Sequence, residues 1–165
     1  MSTQRLSIQR GYQPGSLGRV VQLHGQYYAA TWDFGVFFEA KVAAELAEFL
    51  TRYDSQRDGY WLASYNGKVH GSLTVDAHAA QELGAHLRWF VLSDALRGQG
   101  TGRALMSAAL DWCRQCGYGR AYLWTFAGLH AARHLYDAFG FELTEECEGE
   151  QWGTRVTEQR FDLRL

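Results

Sequence analysis

The sequence predicts an α+β domain with a mixed, mostly antiparallel β-sheet, one parallel pair of strands, and helices on both faces. The Asn66-Gly67 dipeptide stands between two runs of alternating apolar residues, which is a strong signal for a β-hairpin. A strand, a helix and a second strand follow one another over residues 85–125, and such a unit places its two strands parallel. Apolar residues recur at helical spacing over residues 17–50, where two helices are therefore expected.

The first half of the chain is predicted to form a strand, two helices and three strands. Residues 6–12 alternate like a short strand, and Pro14 then stands where a helix begins. A loop around residues 31–33 separates this helix from a second one, which ends near Tyr53. The apolar stripes of the two helices consist of Leu17, Val20, Val21, His24 and Tyr28, and of Phe38, Val42, Leu46, Phe49 and Leu50. The three strands are predicted at residues 60–65, 68–76 and 85–92.

The second half of the chain is predicted to form two helices and three strands. The helices span residues 103–116 and 129–139, and the strands span residues 120–125, 141–147 and 156–165. The predicted order of elements is therefore β α α β β β α β α β β. No repeat, low-complexity tract or linker interrupts it, so residues 1–165 are interpreted as one domain.

The composition excludes several classes of protein. Hydrophobic residues make up 47% of the 165 residues, which favours a packed core over disorder. The chain has 16 Lys and Arg against 18 Asp and Glu, and this balance argues against a nucleic-acid partner. No apolar stretch approaches the roughly 20 residues that span a bilayer, and the first residues lack the apolar core of a secretory signal. No membrane partner is therefore expected.

The cysteines favour a reducing compartment. There are three of them, an odd number with no spacing typical of a disulfide framework, so the cytoplasm is the predicted location. Cys113 and Cys116 read as C-x-x-C, but they stand at the C-terminal end of a predicted helix, where the helix dipole opposes a thiolate. No second pair of ligands accompanies them, so we interpret them as packing residues and expect no metal site.

A glycine-rich loop joins a predicted strand to a predicted helix. It reads Arg97-Gly98-Gln99-Gly100-Thr101-Gly102 and is followed by Arg103. Three alternating glycines let several backbone N–H groups point at one place, and two arginines add positive charge, so the loop predicts a diphosphate site. A tight turn without a ligand is the alternative. A Walker loop needs Gly-Lys-Ser/Thr, and a dinucleotide fingerprint needs its third glycine one residue later, so neither of these nucleotide motifs fits.

The Arg/Gln-x-x-Gly-x-Gly pattern of this loop resembles the acetyl-CoA pyrophosphate loop of the GNAT superfamily of N-acetyltransferases. The order of elements is similar to that fold over essentially the whole chain. Residues 129–141 are similar to the last helix of the family and its Tyr-x-x-x-Gly-Phe ending. Residues 23–28, 38–40 and 129–133 further resemble a bacterial branch that is often fused behind a MarR-type winged-helix regulator, here in a stand-alone version.

The resemblance implies acetyl-CoA as co-substrate and assigns residues to it. The glycine loop with Arg103, together with Arg133, would bind the cofactor. The main chain of Phe90, Val91 and Leu92 would bind the pantetheine arm, and a backbone N–H there would polarise the acetyl carbonyl. Trp124 and Thr125 stand where many members carry Asn, so a cofactor contact from that position is in doubt.

Tyr136 is implied to be the catalytic proton donor to the CoA sulfur. A thiol with a pKa of about 8.5 and a phenol with a pKa of about 10 are close enough for this transfer. By its spacing alone, Tyr136 is also compatible with an ordinary aromatic residue on a helix face.

The general base and the substrate side are less specific in the sequence. Glu82 and His86 are predicted as catalytic bases, with Asp76, Glu39 or a water relay as alternatives. The residues that resemble a substrate-side cluster are His24, Tyr28, Trp32, Phe34 and Glu39. Ordinary core and surface positions are the alternative for this cluster.

Two functions are compatible with these patterns. The first is an N-acetyltransferase that moves an acetyl group from acetyl-CoA to a primary amine of a small molecule or peptide by direct attack. The second is a non-catalytic acyl-CoA-binding sensor or scaffold. Tyr136 favours the enzyme. The sequence leaves the amine unidentified and the oligomeric state open, with a homodimer as one option.

Overall fold

The computed structural model of the protein describes residues 5–165. Within these residues the chain forms seven β-strands, five α-helices and a 3₁₀ turn. In chain order they are β1 (Leu6–Arg10), α1 (Ser16–Trp32), α2 (Val36–Thr51), β2 (Gly59–Tyr65), β3 (Lys68–Asp76), α3 (Ala80–Leu83), β4 (Ala85–Leu92), the 3₁₀ turn (Asp94–Leu96), α4 (Thr101–Gln115), β5 (Arg120–Phe126), α5 (His130–Ala138), β6 (Glu142–Gly149) and β7 (Val156–Arg164). The predicted fold class is confirmed. The order differs from the predicted one by the short helix α3, which lies between β3 and β4.

The strands lie in one sheet in the order β1-β2-β3-β4-β5-β7-β6. Neighbouring strands are antiparallel except β4 and β5. The parallel pair is short: Ala85 faces Ala121 and His86 faces Tyr122, and beyond these residues the two strands separate. This separation opens a gap in the middle of the sheet.

Helices cover both faces of the sheet, as the alternation of side chains along β2 shows. Trp61 and Ala63 pack in one core cluster with residues of α4 and α5, whereas Tyr60 and Leu62 pack in a second cluster with residues of α1 and α2. Successive side chains of a strand point to opposite faces, so the two pairs of helices lie on opposite sides. The predicted helices on both faces are therefore confirmed.

A β-bulge bends β4 at the point where it leaves β5. Ser72 pairs with Val91 and Thr74 with Arg88, so β4 contains one extra residue between these pairs. Trp89 has a φ of +51°, and its carbonyl accepts a 2.7 Å hydrogen bond from the buried Ser72 hydroxyl. A bulge bends its strand and increases the local twist, and here it turns the second half of β4 away from β5.

Four predicted ends are corrected by the structure, each by about two residues. β1 ends at Arg10 rather than at residue 12, and α2 ends at Thr51 rather than near Tyr53. α4 begins at Thr101 rather than at residue 103, and β6 ends at Gly149 rather than at residue 147. In the described part of the chain, no helix combines the length and the apolar character that crossing a bilayer requires.

Candidate active site

The gap between β4 and β5 opens into a cavity of about 540 Å³. It extends from the glycine loop to the helices α1 and α2 on the other face of the sheet. Elements from both halves of the chain meet here because the parallel pair separates after only two residue pairs. The predicted site residues that line the cavity are His24, Tyr28, His86, Phe90, Val91, Leu92, Arg97, Gly98, Gly100, Gly102, Arg103 and Tyr136.

The glycine loop lines one part of this cavity. Gly98 and Gly100 have φ values of +73° and +76°, which L side chains rarely adopt, and no atom lies within 4 Å of where a Cβ would stand. The first helical hydrogen bond of α4 runs from the Ala104 N–H to the Gly100 carbonyl at 3.0 Å, so the N–H groups of residues 101–103 precede it. The described first turn of α4 contains no acidic residue. The loop therefore presents free N–H groups and the positive end of a helix dipole to an anion.

Two arginines bracket the loop, and both line the cavity. The Arg97 guanidinium pairs with Asp94 at 3.2 Å and lies 4.5 Å from the centre of the Tyr27 ring on α1. Arg103 lies 5.5 Å from the centre of the Phe139 ring. Both side chains are exposed, so their charges are accessible to a ligand.

Three predicted cofactor residues lie outside the cavity lining. The Gln99 side chain donates to the Ala95 carbonyl at 2.9 Å. Thr101 is 1% exposed, and its hydroxyl has no partner in residues 5–165. Arg133 pairs with Asp137 at 3.2 Å and lies 4.8 Å from the centre of the Phe161 ring. Their assignment to the cofactor stays a prediction.

Tyr136 is the buried residue of α5 and reaches the cavity from the face opposite α1. Its ring is 6% exposed and lies 6.0 Å from Phe141 and 5.7 Å from Phe161, measured between ring centres. Burial raises the pKa of Tyr136 above its usual value, so the phenol is protonated at neutral pH. Burial would also raise the pKa of a thiol bound beside it, because both groups lose the solvation of their charged forms.

Of the four predicted bases, His86 alone lines the cavity. Its ring stacks on Tyr122, with 4.5 Å between ring centres and 14° between planes. Burial and, second, the positive charge of Arg88 lower the pKa of His86 to about 3. A neutral imidazole with so low a pKa is a weak base at pH 7.

The other three candidate bases are carboxylates, and they lie away from the cavity. Glu82 is exposed on α3, and Glu39 is exposed on α2, where it packs against Gly25 of α1. Asp76 is 8% exposed and accepts hydrogen bonds of 3.0 and 2.7 Å from Arg52. Burial opposes the charge of Asp76, but the Arg52 guanidinium outweighs it and lowers the pKa of this carboxyl. This ion pair occupies the carboxylate that a base would need free.

Helix α1 brings two of the predicted substrate residues to the cavity. His24 is 4% exposed, and its Nδ1 lies 2.8 Å from the Val20 carbonyl, so Nδ1 carries the proton and Nε2 is an acceptor. Burial lowers the pKa of His24 to about 4 despite this hydrogen bond. The Tyr28 ring lies 4.8 Å from Phe38, and burial and, second, the nearby Tyr136 raise its pKa. Tyr28 and Tyr136 thus approach the same space from opposite faces of the sheet.

Trp32 and Phe34 lie behind this wall rather than on it. Trp32 packs edge-on against Phe126 at 4.9 Å between ring centres and covers Gly128. Phe34 is 3% exposed and packs on Tyr28 at 5.7 Å.

Among the lining residues that sequence reasoning did not assign to the site, five come from α2, β4 and the loop after β6. Lys41 and Glu45 are one helical turn apart on α2 and form a 2.6 Å ion pair, and Glu45 also pairs with Arg88 of β4 at 2.7 Å. Gln151 and Trp152 belong to the loop between β6 and β7. The spacing of Lys41 and Glu45 was a usable signal, because such pairs meet on a helix surface. Nothing local in the sequence indicates that Arg88 or Trp152 faces them.

The structure places Cys113 of the C-x-x-C pair in the core and leaves Cys116 half-buried. Cys113 is fully buried, and burial raises the pKa of its thiol to about 12. Among residues 5–165, no group of three or more His, Cys, Asp or Glu side chains is arranged to hold a metal ion.

Comparison with known families and proteins places this geometry in context. Residues 21–141 match the model of the acetyltransferase (GNAT) family. The chain is 29% identical over 128 residues to the uncharacterized N-acetyltransferase YjgM of Escherichia coli strain K12, covering 77% of this chain and 75% of that protein. It is 33% identical over 106 residues to N-acetyltransferase 8 of Mus musculus, covering 62% of this chain and 47% of that protein.

Solved structures share the fold. The acetyltransferase of the GNAT family from Staphylococcus aureus MU50 superimposes with a TM-score of 0.77 at 13% identity, covering 98% of this chain and 99% of that one. YncA from Salmonella typhimurium, solved with its cofactor acetyl-CoA, superimposes with a TM-score of 0.72 at 18% identity, covering 98% of this chain and 94% of that one.

Proposed function

This chain belongs to the acetyltransferase (GNAT) family, and on that premise we propose that it transfers the acetyl group of acetyl-CoA to a primary amine of a small molecule or peptide by direct attack. The observation that carries the proposal is that the glycine loop and Tyr136 line one cavity. The first part fits a diphosphate, and the second supplies a protonated phenol. A binding module needs the first of these and has no use for the second.

The residues of the loop fit the diphosphate of acetyl-CoA. The N–H groups of residues 101–103 precede the first helical hydrogen bond of α4, and the space over Gly98 and Gly100 is open. Arg97 and Arg103 supply charge-assisted hydrogen bonds to phosphate oxygens. Space around Gly102 is tight, because a Cβ there would lie 3.2 Å from Leu92 and 3.3 Å from Phe90, and these side chains would have to shift to accommodate it.

The edge of β4 that faces β5 supplies the backbone groups of the reacting centre in this proposal. The described pairing with β5 stops at His86, so no strand covers the main chain of residues 90–92 on that side. When bound, acetyl-CoA supplies an activated acetyl group. In our proposal a backbone N–H from residues 90–92 donates to the acetyl oxygen, and the Tyr136 hydroxyl donates its proton to the departing sulfur.

Water carries the proton away from the amine in this proposal. His86 has a pKa of about 3, Asp76 is paired with Arg52, and Glu39 and Glu82 lie outside the cavity. The amine therefore reacts in its neutral form after losing one proton to solvent. The second proton that its nitrogen loses on forming the amide also passes to water, and water returns a proton to Tyr136 after the CoA thiol has left. No side chain of this set has to act as base. This reverses the preference for Glu82 and His86 that the sequence suggested.

An activity panel tests the proposal. The purified protein is incubated with acetyl-CoA and a set of primary amines, and products are detected by mass spectrometry while CoA release is followed in parallel. Acetylated amine formed with matching CoA release supports the enzyme. Tight calorimetric binding of acetyl-CoA without turnover on any amine would instead support the acyl-CoA-binding sensor or scaffold.

The cellular location is proposed from the cysteines, and the partners are proposed from the sequence alone. All three cysteines are free, which supports the reducing cytoplasm as the predicted location. The homodimer and the likeness to the branch fused to MarR-type regulators stay predictions from the sequence.

A further inference from the structure

Three charged side chains form a row on the wall of the cavity that α2 and β4 build. Lys41 and Glu45 lie on α2, and Arg88 lies on β4 just before the bulge. Glu45 pairs with Lys41 through Oε1 at 2.6 Å and with Arg88 through Oε2 at 2.7 Å. The three side chains are 28%, 38% and 20% exposed in the order Lys41, Glu45, Arg88, so a ligand in the cavity can reach them.

The row carries two positive charges against the one negative charge of Glu45, and most of its unused hydrogen-bonding capacity consists of donors. Both oxygens of Glu45 are occupied by charge-assisted bonds. Lys41 has three N–H donors and uses one of them within residues 5–165. Arg88 has five, and its partners in the same residues are Glu45 and, at 3.3 Å, Asp76. Asp76 is itself held by Arg52 through both oxygens, so it adds no free acceptor.

Aromatic side chains contribute much of the other lining of the cavity. Phe38, Phe126 and Trp152 line it, and Trp152 lies 5.5 Å from Phe126 between ring centres. Glu45 is the one acidic residue in the lining formed by the described chain, and it is paired with two cations. A second ammonium on the acceptor would be repelled by the net positive charge of this row. An anionic group can add to the unused donors without breaking either ion pair.

We propose that the acceptor amine carries a carboxylate, bound by Lys41 and Arg88, and an apolar or aromatic side chain that packs on Phe38, Phe126 and Trp152. The substrate class is therefore an amino acid rather than a polyamine or a simple alkylamine. This inference rests on the proposed acetyl transfer to a primary amine. Lys41 and Arg88 act in it by positioning the acceptor and take no part in the chemistry.

Pairs of acceptors that differ by one carboxylate test the inference. Phenylalanine is compared with phenethylamine, and leucine with 3-methylbutylamine. Amino acids with a longer spacing between amine and carboxylate are included with their matching amines. The wild-type kcat/KM is expected to be at least about 10-fold higher for the carboxylated member of the preferred pair, as one charge-assisted ion pair provides. Because a lower amine pKa also favours reaction, rates are compared per neutral amine.

Substitutions at Lys41 separate recognition from folding. Lys41→Met keeps the length and helix propensity of the side chain, and it should remove most of the preference by raising KM for the amino acid while kcat stays within about 2-fold. Lys41→Glu should reverse the preference toward the simple amine. Lys68→Met is the matched control, because Lys68 lies at an exposed position on β3 outside the cavity. It should leave the preference for the carboxylated acceptor and the KM for the amino acid unchanged.

The two levels of the proposal fail in different ways. Acetylation of amines with equal or better rates for the decarboxylated partners overturns the carboxylate site and leaves the acetyltransferase intact. A preference that survives Lys41→Glu also overturns it. If no amine is acetylated, the proposed function fails. In that case, phenylalanine and phenethylamine are titrated calorimetrically into the protein with CoA present. Tighter binding of phenylalanine supports the carboxylate site. No binding of phenylalanine, or binding no tighter than that of phenethylamine, overturns it.

Discussion

Replacing Tyr136 with phenylalanine isolates the role of its hydroxyl from that of its ring. The ring is 6% exposed and packs on Phe141 and Phe161, and phenylalanine keeps both contacts. The substitution removes one oxygen atom and leaves the ring in place, and burial raises the pKa of the hydroxyl that is lost. The free energy of unfolding should therefore change by no more than about 0.5 kcal/mol. For a chain of this size, that corresponds to a shift in Tm of about 1–2 °C.

The effect on catalysis should be much larger than the effect on stability. Losing a general acid typically lowers kcat by ~10²–10⁴, which is about 3–5 kcal/mol of transition-state stabilisation. Acetyl-CoA affinity should stay within about 2-fold of the wild type, because the hydroxyl acts on the leaving group. Thermal denaturation, calorimetry with acetyl-CoA and steady-state kinetics on the same preparation measure the three quantities.

Phe161→Leu is the matched control. Phe161 is fully buried and touches the Tyr136 ring, but it lies outside the cavity lining. This variant should cost about 0.5–3 kcal/mol of stability while kcat falls little. Leu135, the neighbour of Tyr136, lines the cavity itself and is therefore unsuitable as a control.

The pH dependence gives a further criterion. The pKa of Tyr136 is raised, so the acid is fully protonated across pH 6–9, and the loss in Tyr136→Phe should be the same at each pH in this range. A variant that binds acetyl-CoA normally and turns over at the wild-type rate would return Tyr136 to the role of a core aromatic residue.

Three further predictions follow from the loop and the buried histidines. Gly100→Glu should abolish calorimetric binding of acetyl-CoA, because it places a negative charge in the open space of the loop. Gly67→Glu is the control: Gly67 has an equally positive φ of +77° in an exposed hairpin turn, and this variant should bind acetyl-CoA normally. Equal affinities of the two folded variants for acetyl-CoA would contradict the diphosphate site. His86→Gln should leave the shape of the profile of kcat/KM against pH unchanged, because kcat/KM rises with pH according to the pKa of the amine. If the variant instead loses one ionisation step from this profile, His86 is the base. The free energy of unfolding should fall as pH decreases from 6.5 toward 4. His24 and His86 have pKa values of about 4 and about 3 in the folded protein, against 6.5 for an ordinary histidine. In this pH range the unfolded chain therefore binds protons that the folded chain does not, and this favours unfolding. Urea denaturation at several pH values measures this, and a slope unchanged in the double variant His24→Gln/His86→Gln would assign the acid sensitivity to other groups.

Local signals in the sequence were sufficient for most of the elements and for the backbone geometry of the glycine loop. The Asn66-Gly67 turn, the helical stripes and the strand–helix–strand unit predicted the fold class and nearly the whole order of elements. The glycine loop was readable for the same reason: the positive φ of Gly98 and Gly100 and the free N–H groups of a helix start are properties of a few consecutive residues. Such features depend on covalent neighbours and need no distant partner.

The acceptor side was decided by contacts between residues far apart in the chain. Glu45 and Arg88 are 43 positions apart, and Trp152 meets Phe126 through the return of β7 along β5. The base is a similar case, because the low pKa of His86 arises from burial under neighbouring elements and from the charge of Arg88. The bulge at Trp89 exists only where β3 and β4 pair out of register. The sequence by itself determined most of the helices and strands and the conformation of the glycine loop. Packing across the sheet decided which charges line the cavity, since burial and long-range pairing are properties of the assembled fold.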